Sequence, residues 1–139
     1  MKILIFTLSY LILSLALSAD ELDDKLLLAE KFVDGNPSEP LKFIESKAVE
    51  SLNDPQLRDS LEEKILSSLG TANSRRGKDF LCRMLRIMGT KKSIPLMKEL
   101  LSDQESGHMA RYVLASMQYK EAGAALHQSL NTVQDKLRQ

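Results

Sequence analysis

Residues 81–101 read LCRMLRIMGTKKSIPLMKELL, and residues 110–130 read ARYVLASMQYKEAGAALHQSL. Laid over each other, the two stretches match at an offset of 29 positions in five apolar pairs: Leu81 and Ala110, Leu85 and Leu114, Met88 and Met117, Met97 and Leu126, and Leu101 and Leu130. Spacings of three and four between apolar residues are typical of one buried helix face. Each stretch therefore predicts two short helices joined by a turn. Such a unit cannot bury its apolar face alone, so successive units are expected to stack.

Helical spacing of apolar residues also runs through the chain before residue 81. Three further stripes are present there: Leu22, Leu26, Ala29 and Val33; Leu41, Ile44, Ala48 and Leu52; and Leu57, Leu61, Ile65 and Leu69. Helix starts are indicated by Asp54-Pro55 and by Ser74, and helix ends by the glycines Gly70 and Gly89. No segment alternates with period two for the length of a strand, so the predicted fold class is all-α.

The first 18 residues have the three-part pattern of a cleavable signal peptide. Lys2 provides a positive charge, residues 3–17 are almost continuously apolar, and small side chains follow at Ala16, Ser18 and Ala19. About 15 apolar residues fall short of the roughly 20 that a membrane-spanning helix needs. We therefore expect cleavage after Ser18, with cleavage after Ala19 and an uncleaved membrane anchor as the alternatives. The protein is then expected to be exported, to the periplasm or the extracellular medium, with no membrane span after cleavage.

Residues 19–139 are long enough to form one domain with its own core. Lysine plus arginine and aspartate plus glutamate number 19 each, so the net charge does not indicate a binder of polyanions. Cys82 is the only cysteine, which excludes an intramolecular disulfide. Without a Cys-x-x-Cys pair or a cluster of cysteine and histidine, neither structural zinc nor covalently attached haem is expected.

Several short segments resemble known repeat sequences. Residues 89–97, GTKKSIPLM, resemble the opening of a short HEAT repeat, whose first helix often carries an apolar-Pro-x-apolar step. Residues 100–103 resemble the Leu-Leu-x-Asp that ends that helix, and residues 110–111 resemble the apolar-Arg pair that starts the second. Residues 80–83 and 108–112 are similar to segments of exported bacterial HEAT-repeat proteins. The resemblance implies an α-solenoid, a right-handed stack of antiparallel helical hairpins.

The resemblance covers roughly residues 40–138 and is most specific in residues 78–130. Such proteins continue through several more repeats, whereas here residues 126–130 begin a repeat and the chain ends at Gln139. A solenoid normally carries a polar capping repeat over its last apolar face. Two interpretations therefore stay open: the chain is a fragment, or its last helix is covered elsewhere, for instance by a second copy of the protein.

Basic residues are concentrated between Ser74 and Lys92, where only Asp79 opposes them. The candidate binding residues in this region are Arg75, Arg76, Lys78, Arg83 and Arg86. They predict a contact surface for an acidic protein, an anionic polysaccharide or lipid headgroups. The alternative is that they form the solvated face of one helix. Nucleic acid is not an expected partner, because the protein is expected to be exported and only one aromatic residue, Phe80, lies among the basic ones to stack on bases.

The histidines do not predict a metal site. His108 and His127 are 19 positions apart, whereas two ligands on one helix normally lie three or four apart. Some HEAT-repeat enzymes bind iron through His-Glu pairs, and this chain has no His-Glu dipeptide. We therefore expect no metal and no cofactor. The resemblance also implies that Asp103 and Arg111 form a structural contact between helices.

The remaining reactive groups do not predict catalysis. Cys82 is expected to be buried and inert, although Arg83 and Arg86 are close enough in sequence to lower its pKa in an alternative, reactive state. The acidic pair Glu62-Glu63 and the acidic run in residues 20–24 are expected to be solvated. No Ser/His/Asp set, glycine-rich phosphate loop or paired carboxylates stand out, so no catalytic residue is expected.

The predicted function is protein–protein binding through the repeat surface, without catalysis. Two alternatives remain. The chain is a structural fragment or accessory module that docks or self-associates through its uncapped C-terminal repeat, or it is an accessory subunit of an enzyme.

Overall fold

The computed structural model describes residues 20–137, with side chains up to residue 130, and the predicted signal peptide at residues 1–18 lies outside them. Within the described residues the chain forms seven α-helices and two short 3₁₀ helices, and no strand. The α-helices are α1 (20–30), α2 (Glu39–Glu50), α3 (Pro55–Thr71), α4 (Arg75–Met88), α5 (Ile94–Leu100), α6 (Gly107–Ser116) and α7 (Lys120–Leu137). The 3₁₀ helices are Ser51–Asn53 and Lys91–Ser93. The predicted all-α class is confirmed, and none of these helices is long and apolar enough to cross a membrane.

Local capping explains where two of the helices begin. The side chain of Asp54 accepts hydrogen bonds from the backbone N–H groups of Gln56 and Leu57, at 3.0 and 3.1 Å, and Pro55 takes the first position of α3. Ser74 accepts a hydrogen bond from the N–H of Gly77, at 2.9 Å, in the first turn of α4. Both predicted helix starts are therefore confirmed.

The helix ends predicted at Gly70 and Gly89 agree only in part with the structure. Gly70 lies inside α3, which continues to Thr71. Gly89 directly follows the last residue of α4, as predicted, but its φ of −61° is not the left-handed conformation of a glycine cap. A glycine is needed there for space, because an added Cβ would clash with the carbonyl of Leu85 and press on the side chain of Met117 at 3.1 Å.

The 29-residue spacing correctly identifies core positions from residue 81 onward. The first four pairs, Leu81 and Ala110, Leu85 and Leu114, Met88 and Met117, and Met97 and Leu126, lie in the core or pack against it. In the fifth pair, Leu101 packs against the core, whereas Leu130 is 60% exposed. Val33 and Leu52 are also exposed, because Val33 lies beyond the end of α1 and Leu52 lies in the 3₁₀ helix that follows α2.

Helices contact their neighbours in sequence, and several also contact the helix two positions away along the chain. Helix α4 packs against α2, α3 and α6, and helix α6 packs against α4, α5 and α7. Helix α5 also contacts α7. The core therefore runs continuously from one helical pair to the next, with α4 and α6 at its centre.

Polar side chains of α3 hold the turn between α4 and α5. Glu62 is fully buried and accepts hydrogen bonds from the N–H and hydroxyl of Thr90 and from the hydroxyl of Ser93. Arg58 donates from Nε to the carbonyl oxygen of Met88, at 2.5 Å, and from Nη2 to that of Gly89, at 3.2 Å. Of the two adjacent glutamates expected to be solvated, only Glu63 is exposed.

Candidate functional site

Helix α4 has two faces of different character. The face toward the core carries Gly77, Phe80, Leu81, Met84, Leu85 and Met88. Beside this face, Arg75, Asp79, Cys82 and Arg86 follow each other at spacings of three and four, which places them along one line of the helix, with Cys82 buried and both arginines exposed. Because α6 packs beside α4, this line borders the junction of the two helices.

An open cleft lies along this junction. A cavity of about 190 Å³ is lined by Asp79, Cys82, Arg83 and Arg86 of α4 and by Met109, Tyr112 and Val113 of α6. A more polar depression of about 450 Å³ is lined by Arg75, Arg76, Asp79, His108 and Met109. Asp79 and Met109 line both, so the two form one continuous surface, which we call the α4–α6 groove. The cavity is its apolar part and the depression its polar part.

The groove contains four of the five predicted binding residues: Arg75, Arg76, Arg83 and Arg86. The fifth, Lys78, is absent from its lining. Its ammonium group lies 3.6 Å from the carboxylate of Glu105, in the segment before α6, and its side chain is mostly buried. The structure therefore brings the four arginines together and separates Lys78 from them.

Two of the four arginines have partners within residues 20–130. Arg76 donates from Nε and Nη2 to one carboxylate oxygen of Asp34, at 3.1 and 2.9 Å. Arg83 lies 3.6 Å from the carboxylate of Asp79 and covers the ring of Phe80. Among the described residues, the guanidinium groups of Arg75 and Arg86 make no hydrogen bond, ion pair or ring contact.

Both unpaired arginines are exposed to solvent. They can therefore donate to an incoming carboxylate without first breaking a contact inside the protein. A guanidinium group can bind a carboxylate through two parallel hydrogen bonds, which makes such contacts both strong and directional.

Cys82 forms part of the floor of the cavity. Its side chain is 3% exposed, and burial, together with the nearby charge of Asp79, raises the pKa of the thiol to about 12. Arg83 and Arg86 therefore do not produce the reactive thiolate considered from the sequence. At neutral pH, Cys82 is a small apolar surface against which a ligand can pack.

Asp103 and Arg111, the predicted inter-helix pair, form no hydrogen bond or ion pair with each other. Asp103 accepts hydrogen bonds from the N–H groups of Ser106 and Glu105, at 2.6 and 3.1 Å. The pKa of Asp103 is lowered below its usual value, and the main cause is the hydrogen bond from the N–H of Ser106. The carboxylate is thus engaged in the turn that leads into α6, and Arg111 is exposed on α6 without an ion pair in the described part of the chain.

The α6 side of the groove was missed by sequence reasoning. Tyr112 is 66% exposed at the rim of the cavity, and His108 lines the polar depression. The 29-residue offset contains the signal that could have identified them, because it aligns His108 with Asp79 and Tyr112 with Arg83. Equivalent positions in stacked helices point the same way, so both pairs border one groove.

No group of three or more His, Cys, Asp or Glu side chains that could hold a metal ion occurs within residues 20–130. Comparison with known proteins finds no matching family model, curated sequence or solved structure. The function is therefore inferred from the groove itself.

Proposed function

We propose that the protein is a non-catalytic binding module that recognises another, acidic protein through the α4–α6 groove. The observation that carries the proposal is the pair of unpaired guanidinium groups, Arg75 and Arg86, beside an open apolar cavity. Protein interfaces typically combine an apolar centre with a polar rim and are enriched in arginine and aromatic residues. Tyr112 supplies the exposed aromatic side chain at this rim.

We further propose that the module is an α-solenoid of the HEAT kind. Two observations support this architecture. The chain repeats its apolar pattern every 29 residues, and α4 contacts both α2 and α6, as stacked second helices do. The apolar pattern of residues 1–18 supports export of the protein, to the periplasm or the medium.

The chemistry of the groove favours binding over catalysis. A nucleophile needs a lowered pKa or an adjacent base. The pKa of Cys82 is raised instead, to about 12, and the carboxylate of Asp79 is paired with Arg83. The lining thus offers a surface for contacts, and its thiol is not activated.

The second candidate function is self-association through the C-terminal repeat, and Leu130 favours it. This side chain is 60% exposed on α7, whereas its equivalent one repeat earlier, Leu101, packs against the core. Light scattering after size-exclusion chromatography at several concentrations separates the two functions. A dimer that becomes monomeric in Leu130→Lys supports self-association, and a monomer at all concentrations contradicts it.

The proposed function is tested by capturing proteins from extracts of the producing cell on three immobilised variants. These are the unmodified chain, the double variant Arg75→Ala/Arg86→Ala, and the control Lys42→Ala/Lys98→Ala. The control also removes two exposed charges that lack an ion pair among the described residues, but from α2 and α5. Quantitative mass spectrometry should find proteins that the unmodified chain and the control retain and the arginine variant loses. Each such protein is then purified and its direct binding measured.

The same set of proteins on all three variants would mean that the groove is not the binding surface. No specifically retained protein on any of them would contradict the binding function as a whole.

A further inference from the structure

The spacing of the two unpaired arginines restricts what the groove can hold, and this inference rests on the proposed function. Arg75 and Arg86 are 11 residues apart on α4, which is three helical turns. They therefore lie on the same side of the helix, about 16 Å apart along its axis. The apolar cavity opens between these two levels, beside Asp79 and Cys82.

The size of the cavity indicates a single side chain as its occupant. Its volume of about 190 Å³ is below the roughly 300–1,000 Å³ of sites that enclose a whole small-molecule ligand. Its walls include the buried residues Cys82, Met109 and Val113, and Tyr112 stands exposed at the edge. An apolar or aromatic side chain would exchange water contact for these walls, as the anchor residues of protein interfaces do.

An extended peptide has the geometry to use the arginines and the cavity together. A strand rises about 3.3 Å per residue, so the first and fifth residues of an extended segment lie about 13 Å apart, a few ångströms less than the spacing of Arg75 and Arg86. Residues one, three and five of an extended segment face the same side. With an apolar third residue in the cavity, acidic first and fifth residues lie within reach of the two flexible arginine side chains.

We propose that the α4–α6 groove binds an extended segment of a partner protein with the pattern acid–x–apolar–x–acid. Charge in the groove follows the same order, since the two unpaired arginines lie on either side of Asp79. A continuous polyanion, such as an anionic polysaccharide, would place negative charge against Asp79 and leave the apolar walls uncovered. The central apolar residue of the proposed pattern avoids both costs.

The test uses the purified chain and the peptide acetyl-Glu-Ser-Trp-Ser-Glu-amide. Because the protein has no tryptophan, tryptophan emission reports on the peptide alone. A matched control peptide, acetyl-Glu-Glu-Trp-Ser-Ser-amide, has the same composition and charge in a different order. We expect a blue shift of the emission on binding, and chemical-shift changes at the backbone amides of Met109, Tyr112 and Val113.

The control peptide should bind at least about fivefold more weakly, as should the first peptide to Arg75→Ala/Arg86→Ala, since each loses an anchoring contact. Lys42→Ala/Lys98→Ala should bind like the unmodified chain. Equal binding of the two peptides would overturn the inference, because the groove would then respond to charge alone. Binding to vesicles of anionic phospholipid that displaces the peptide would also overturn it, in favour of a lipid surface.

The two proposals fail in distinguishable ways. Arginine-dependent capture of proteins without binding of the peptide would overturn the acid–x–apolar–x–acid pattern and leave the proposed function standing. Peptide binding in the groove, combined with protein capture that is unchanged in the arginine variant, would instead contradict the proposed function.

Discussion

The buried carboxylate of Glu62 accepts two hydrogen bonds from one residue, Thr90, whose backbone N–H and hydroxyl both lie 2.7 Å from it. Thr90 is 28 positions further along the chain and begins the turn that joins α4 to α5. The contact therefore fixes this turn on α3 and, with it, the end of α4 that carries Arg86. A buried charge that is fully hydrogen-bonded in this way is tolerated, but loss of one side of the contact leaves the other side unsatisfied.

Replacement of Glu62 by alanine should lower the free energy of unfolding by about 2–4 kcal/mol, because three donors in a buried site lose their acceptor. Urea unfolding followed by circular dichroism measures this change. Glu63→Ala is the matched control. Its side chain is 65% exposed and forms an ion pair with Lys92, so the change should stay below about 1 kcal/mol. Equal effects of the two substitutions would show that burial of Glu62 does not matter for stability.

Gly77→Ala should destabilise the fold by about 1–3 kcal/mol, as overpacking does. An added Cβ would clash with the carbonyl oxygen of Ala29 and lie 2.9 Å from that of Glu30, where the first turn of α4 meets α1. Gly70→Ala in α3 is the control, since nothing lies within 4 Å of its added Cβ. It should stabilise by about 0.5–1 kcal/mol, because alanine favours a helix over glycine. Thermal unfolding should therefore show a lower melting temperature for Gly77→Ala and a higher one for Gly70→Ala than for the unmodified chain.

The thiol of Cys82 makes stability depend on alkaline pH. Burial raises its pKa from 9.0 to about 12, so between these values the unfolded chain releases a proton that the folded chain keeps. This contribution to stability is complete below pH 9 and is lost as the pH rises toward 12. Between about pH 8 and about pH 10, the free energy of unfolding should therefore fall more for the unmodified chain than for Cys82→Ala, by about 1 kcal/mol. Parallel curves for the two proteins would contradict the raised pKa.

Asp79→Asn should strengthen binding of the peptide acetyl-Glu-Ser-Trp-Ser-Glu-amide about two- to fivefold. The substitution removes the carboxylate that lines both parts of the groove, and it releases Arg83 from its ion pair. Glu45→Gln on α2 is the control, because it removes an exposed negative charge away from the groove and should leave the affinity unchanged. Tryptophan emission gives both affinities, and weaker binding by Asp79→Asn would contradict a role for Asp79 in opposing acidic ligands.

Asp103→Ala should lower the melting temperature, whereas Arg111→Ala should leave it unchanged. The carboxylate of Asp103 is the acceptor for two N–H groups in the turn before α6, and Arg111 has no ion pair to lose within the described residues. The lowered pKa of Asp103 adds a pH test. The stabilisation is present above its usual pKa and disappears as the pH falls through the lower, folded-state value. If Arg111→Ala lowered the melting temperature strongly, but had no further effect in a chain that already carries Asp103→Ala, the predicted contact between the two residues would be supported.

Local signals in the chain were sufficient for the helices and for much of the core. Asp54 and Ser74 begin helices because their side chains bond to N–H groups two or three residues away, which requires nothing from the rest of the fold. The 29-residue spacing placed Leu81, Leu85 and their partners in the core, because helical periodicity and burial go together.

The state of each charged side chain depended instead on residues far away in the chain. Glu62 and Glu63 are neighbours and both contact the turn between α4 and α5, about 28 positions away, but only Glu62 is buried by it. Likewise Arg76 is paired with Asp34, 42 positions away, and Lys78 with Glu105, whereas Arg75 and Arg86 meet no acid within the part of the chain that the structure describes. The spacing of apolar residues and the capping of helices depend on residues that are close together in the sequence, so both can be predicted from it directly. Which charges are neutralised, and where an open groove remains, depends on the packing of α4 against α1, α3 and α6.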